Sequence, residues 1–147
     1  MTPLVTISVP AYRAIDYKAL VESIAAVETR RNKPQGVHGE RGPLQFKAES
    51  WAEDADGLSF HFALDPALAR WVATRRLKRL AKLMRERGIE PSCYKLGIAW
   101  NSGLSNVLLF KWVNADVRDY AIRVENLYTD RLKHAPALSP QPSTISP

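Results

Sequence analysis

The chain is 147 residues long, 46% hydrophobic and 24% charged, a size and balance suited to one domain around one core and unlike a disordered chain. No apolar run approaches the roughly 20 residues that span a bilayer, so no transmembrane segment is expected. Its 21 Lys and Arg against 15 Asp and Glu leave a formal charge of +6, which favours an anionic partner: nucleic acid, a membrane surface or a cell-wall polymer.

Residues 1–15 are read as an N-terminal segment. It lacks a basic leader with a sustained apolar stretch and a small-residue cleavage site, so no secretory signal is expected. The first helix is predicted from Asp16 to about Arg31. Asp16 can cap it, and Leu20, Val21, Ile24 and Val27 recur at helical spacing. Glu28 stands four residues after Ile24 and seven after Val21, on the apolar face; Glu22 falls near the polar face. From Asn32 to Gln45, Pro34, Gly36, Gly39, Gly42 and Pro43 predict a loop with room for a small hairpin. A short helix with Trp51 follows over Lys47 to Ala55, then a connector from Asp56 to Leu64.

Asp65 and Pro66 are a cap and a first helical residue, opening a long helix that runs to about Arg87 and stops at Gly88. Leu68, Trp71, Val72, Leu80, Leu83 and Met84 form its apolar side. Its basic run, Arg70, Arg75, Arg76, Lys78, Arg79, Lys82, Arg85 and Arg87, reads as a solvated face. A further helix is predicted from Ser92 to Trp100, a short helical piece from Asn106 to Phe110, and a last helix from Asp116 to Lys133. Residues 134–147, with four prolines and three serines from Ala135 on, read as a disordered tail. The fold expected is mainly α: one domain of five or six helices over residues 16–133, with little β structure.

Cys93 is the only cysteine; it has no internal disulfide partner and reads as a buried structural thiol. His38, His61 and His134 lie apart from one another and from Cys93. No metal-ligand spacing appears, and no cofactor is expected. Trp51, Trp71, Trp100 and Trp112 read first as core. No helix-turn-helix, zinc motif or aromatic platform accompanies the basic helix, so nucleic acid is not the expected partner.

Four segments stand in an informative order: Ala26-Val27-Glu28-Thr29 at a helix end, Gly42-Pro43-Leu44-Gln45-Phe46 after the glycine-rich loop, Ala99-Trp100-Asn101-Ser102-Gly103 at another helix end, and Asp119-Tyr120 in the last helix. Together they resemble the landmarks of the soluble lytic transglycosylase domain, a lysozyme-like family related to goose-type lysozymes. The resemblance covers about residues 16 to 130. It implies a lysozyme-like fold and a glutamate, Glu28, that cleaves peptidoglycan glycan strands. It implies substrate-binding roles for Thr29, Gln45, Trp100 and Asn101, and a Tyr120 beside the carboxyl. Pro43 and Leu44 replace the family's Leu and Met, and Trp100 replaces its tyrosine. Lys47 stands where goose-type lysozymes often carry an aspartate.

A carboxyl on an apolar helix face has its pKa raised because burial disfavours its charge. A shift toward about 6 leaves much of it protonated and able to serve as an acid. Without the other motifs, Glu28 reads as a partly buried glutamate paired with Arg30, Arg31 or Arg41. Gln45 and Asn101 can also satisfy loop backbone groups, and Tyr120 can be plain packing. The rivals to a transglycosylase are a hydrolase of the same bond and a non-catalytic basic helical binding protein. A hydrolase wants a second carboxylate, for which no motif places Glu40, Glu49, Glu53 or Asp54. The resemblance implies the periplasm or cell envelope, reached through an export segment outside this chain or, as for a phage-encoded enzyme, by another route. Oligomeric state is not legible.

Overall fold

The computed structural model describes residues 14–29, 38–109 and 112–134. Most of the predicted N-terminal segment, part of the glycine-rich loop and the Pro/Ser-rich tail lie outside the described residues. Helix makes up 72% of the described residues, and no strand forms among them, as the apolar periodicity predicted. The helices are α1 (Tyr17–Thr29), α2 (Ala48–Asp54), α3 (Pro66–Glu86), α4 (Cys93–Ser102), α5 (Ser105–Leu108) and α6 (Ala115–His134).

Polar caps set the boundaries. The Asp16 carboxylate accepts from the Ala19 N–H at 3.0 Å, starting α1. Asp65 accepts from the N–H groups of Ala67 and Leu68, both at 2.9 Å, with Pro66 at the first helical position of α3. Each bond satisfies a donor that the helix itself leaves unpaired. Helix α3 ends where Gly88 takes φ +71° and the Ile89 N–H reaches back to the Met84 carbonyl at 3.0 Å, a left-handed stop that glycine adopts at little cost. Ser92 caps α4, and Asn114 accepts from the Val117 N–H at 3.0 Å near the start of α6.

Helix α6 packs against α1 and α4, while α3 packs against α1, α2 and α4. Between them lie Leu20, Ile24, Leu77, Met84, Leu96 and Val124, all fully buried; each such side chain contributes about 1.5–3 kcal/mol relative to exposure. The close approach of α4 to α6 depends on Gly97, where a Cβ would stand 3.3 Å from the Ala121 Cα.

Two differences from the sequence reading bear on the site. The expected connector contains a 3-10 turn, Phe60–Leu64, whose buried Ala63 lies under the loop at Gly42. Helix α4 continues through Asn101 and Ser102 to Gly103, which takes φ +104°. The small hairpin is a single antiparallel bridge, Arg41 to Phe46, with hydrogen bonds of 2.9 and 3.1 Å.

Candidate active site around Glu28

Glu28 is in the last turn of α1 and is 8% exposed. The residues before it on the same face, Leu20, Val21, Ile24 and Val27, are buried, so the helix that fills the core also carries the carboxyl inward. Tyr120, from the buried side of α6, donates its hydroxyl to Glu28 Oε1 at 2.8 Å. This bond joins residues 92 apart in sequence and fixes one carboxyl oxygen against rotation. Glu22 has a different setting. It is bonded to Arg70 on α3 (guanidinium Nη2 to Oε2 at 3.3 Å), and that hydrogen bond holds its carboxyl below the ordinary carboxylate range.

Glu28 lines a cavity of about 460 Å³. Other parts of its wall come from Gln45 and Phe46, where the turn that starts at Gly42 ends, and from the end of α4. In the turn, Gly42 has φ +78° and touches the 3-10 segment so closely that a Cβ would lie 1.8 Å from the Ala63 carbonyl oxygen. Gln45 is left-handed too, at φ +48°, a conformation uncommon for a residue with a side chain. Its Nε2 donates to the Gly42 carbonyl at 2.7 Å, which offsets part of that strain. From α4 come Ala99, Trp100, Asn101, Ser102 and Gly103. Trp100 is half-buried, edge-on to Phe46 at a centroid distance of 5.2 Å, and Phe46 makes the same kind of contact with the fully buried Trp51. The Trp51 indole N–H donates to the Leu58 carbonyl at 2.8 Å, so the aromatic row is anchored at its inner end.

The cavity therefore brings together Glu28, Gln45, Trp100 and Asn101, with Tyr120 directly behind the carboxyl. Thr29 is not among the lining residues; it is exposed, and its hydroxyl turns back to the Ala25 carbonyl of its own helix. Gln45 lines the cavity while its amide also donates to the turn carbonyl of Gly42.

No family model matches this chain, and no curated protein or solved structure matches it. Its site must be read from its own geometry.

Several residues that the sequence left aside also line the cavity. Glu40 and Glu49 are among them, so two of the four acidic residues that no motif placed are brought to the same recess. The backbone N–H of Glu40 itself and that of His38 hold the Glu40 carboxyl below its ordinary value, against a smaller opposing effect of burial. No local pattern marked Glu40 or Glu49, because the tertiary fold carries them there from a loop and from α2. Lys47 and Arg76 complete a mixed charge lining.

Arg76 corrects the reading of the basic run as a solvated face. It donates to Glu53 at 3.0 Å and Asp54 at 3.2 Å, Arg79 donates to Asp54 at 2.7 Å, and Arg75 donates to the Asp54 carbonyl at 2.9 Å. A signal was present: Arg76 lies four residues after Val72 and four before Leu80, on the apolar stripe. The other two acidic candidates, Glu53 and Asp54, are thus engaged by α3. The tryptophans also divide. Trp51 is core, whereas Trp71 and Trp112 are 43% and 80% exposed. Cys93 is half-buried, with its thiol 3.9 Å from Glu125 and pushed up to about 11, first by burial and then by that carboxylate. Among the described residues, no group of three or more His, Cys, Asp or Glu could hold a metal ion, and no helix is long and apolar enough to cross a membrane.

Proposed function

We propose that this chain is a lytic transglycosylase of the lysozyme-like superfamily, cleaving the β-1,4 bond between muramyl and glucosaminyl sugars of peptidoglycan. The supporting observation is a convergence. Glu28, Gln45, Trp100 and Asn101, distant in sequence, line one recess, and the Tyr120 hydroxyl holds the Glu28 carboxyl from behind at 2.8 Å. Such a protein works on the cell envelope, and its glycan substrate is an anionic polymer suited to a chain of charge +6.

In this reading Glu28 gives its proton to the glycosidic oxygen as the bond from C1 to that oxygen breaks. The acetamido oxygen of the muramyl sugar attacks C1 and holds the developing positive charge. Glu28, now ionised, takes the proton from the 6-hydroxyl of the same sugar, and that oxygen displaces the acetamido group from C1. The product ends in 1,6-anhydromuramic acid, no water is consumed, and Glu28 returns to its protonated form. The 6-hydroxyl is tethered to the ring it attacks, which gives it a large effective concentration.

The second reading is hydrolysis of the same bond. It is favoured by Glu40 and Glu49 on the cavity wall, since an ionised carboxylate near the bond can activate water. The two readings differ in product. Mass spectrometry of digested sacculi should find mainly 1,6-anhydro ends, lighter by one water than hydrolysed ends and resistant to borohydride. Mainly reducing muramyl ends carrying label from heavy-oxygen water would move the chain to the hydrolases and make Glu40 and Glu49 the first residues to replace.

A further inference from the structure

A second recess, of about 340 Å³, lies among α4, α5 and the start of α6. Ile98 and Val107 give it an apolar floor, and Tyr94 and Trp112 are its aromatic walls. Trp112 is 80% exposed, a costly position for the largest apolar side chain unless something covers it. Lys95 and Arg118 stand among the lining residues, and none of the lining residues is acidic. The Lys95 ammonium donates to the Glu90 backbone carbonyl at 2.9 Å, which leaves its charge uncompensated, and the Arg118 guanidinium lies 5.5 Å from the Trp112 ring centre. Among the described residues neither cation has a carboxylate within salt-bridge reach. The complement of such a surface is a small apolar body bearing carboxylates.

This recess adjoins the first. Asn106 lines it and donates to the carbonyl and hydroxyl of Ser102, at 3.0 and 2.9 Å, while Ser102 lines the Glu28 cavity. One hydrogen-bonded pair of residues, Ser102 and Asn106, thus joins the walls of the two recesses. Muramyl sugars carry a short stem peptide that combines alanine methyl groups with free carboxylates. We infer that the Trp112–Arg118 recess binds the acidic stem peptide of the glycan strand whose backbone occupies the Glu28 cavity. The occupant's identity rests on the wall-glycan reading above; its chemistry, an acidic peptide with small apolar side chains, rests on the recess alone. Charged hydrogen bonds from Arg118 and Lys95 would take the carboxylates, and the indole face would cover the methyl groups.

The test uses the full chain carrying Glu28→Gln, which can bind strands without cutting them. Its affinity is measured for uncross-linked glycan strands that keep their stem peptides and for the same strands stripped by an amidase. The peptide-bearing strands should bind about tenfold more tightly, and Lys95→Gln with Arg118→Gln should erase that difference while affinity for stripped strands holds. Free stem peptide should also quench tryptophan emission in the parent chain and not in Trp112→Phe. Equal affinity for the two kinds of strand, or a double variant that weakens both alike, overturns the inference and leaves the cleavage reading standing. Peptide quenching through Trp112 without glycan binding or cleavage upholds an acidic-peptide site and overturns the cleavage reading. Duplex DNA displacing the peptide at equal charge concentration overturns the peptide assignment in favour of a nucleic-acid surface.

Discussion

Glu28 and Tyr120 make the residue-scale case. Glu28→Gln preserves the shape of the side chain and can still accept from Tyr120, but it has no proton to transfer. It should abolish release of soluble muropeptides from sacculi without lowering the melting temperature appreciably. Glu22→Gln should leave turnover intact and cost at most about 1 kcal/mol, because the Arg70 pair it breaks is partly solvated. Tyr120→Phe removes one hydrogen bond to the Glu28 carboxyl. Turnover should fall about tenfold to a hundredfold, in line with the strength of a hydrogen bond to the carboxylate that forms as Glu28 gives up its proton, with KM little changed. A full-rate Tyr120 variant would reduce that residue to packing. Gly42 is decisive for a different reason, steric rather than chemical. Gly42→Ala forces a Cβ onto the Ala63 carbonyl and should cost at least about 3 kcal/mol. Gly39 shares a positive φ but has open space around it, so Gly39→Ala should cost only about 1 kcal/mol. Thermal denaturation of the two variants separates the clash from the backbone preference.

At the scale of elements, the contact of α2 with α3 is an ionic clamp. Asp54 is 4% exposed and takes hydrogen bonds from Arg79 and Arg76. Burial by itself would raise its pKa; the two guanidiniums outweigh burial and hold it below the ordinary aspartate value. A carboxyl depressed in the folded state contributes stability above its unfolded pKa, and that contribution is lost as pH falls through the folded value. The chain should therefore lose stability below about pH 4. Asp54→Asn should cost about 2 kcal/mol at neutral pH and make the acid limb shallower. This falls short of the range for a fully buried pair because Arg79 is 38% exposed and Glu53 stays available to both arginines. Urea denaturation at several pH values reads both effects. Since α2 carries Glu49 and Trp51 beside the Phe46–Trp100 row, loosening the clamp should also lower activity.

For the whole molecule, the surplus of positive charge predicts how it meets its substrate. Binding to sacculi should weaken as salt rises, because the Debye length falls to about 8 Å at physiological ionic strength. The cations that carry this effect must be solvated ones. Lys78 and Lys82 on α3 and Arg87 at its C-terminal cap are exposed, and replacing all three by Gln should flatten the salt dependence. Arg79→Gln should instead lower the melting temperature, since its guanidinium belongs to the α2–α3 clamp. If the triple variant keeps the full salt slope, the attraction arises elsewhere on the surface.

Helix positions, the caps at Asp16 and Asp65, the stop at Gly88 and the inward placement of Glu28 could all be read from sequence. Each depends on neighbours within about one or two helical turns, where backbone geometry dictates which side chains share a face. The same locality limited what could be seen. Whether Tyr120 reaches Glu28, whether Glu40 and Glu49 join it, and whether Arg76 faces water or Asp54 depends on how separate elements pack, and no spacing along the chain encodes those contacts. Gly42 shows both sides of this. Its place in a glycine-rich stretch predicted a turn, but only the packing of that turn on Ala63 makes a side chain impossible there. Local pattern determined the helices and the carboxyl on the inner face. Tertiary packing decided its company, because a cavity wall is made of surfaces that meet only when the chain has folded.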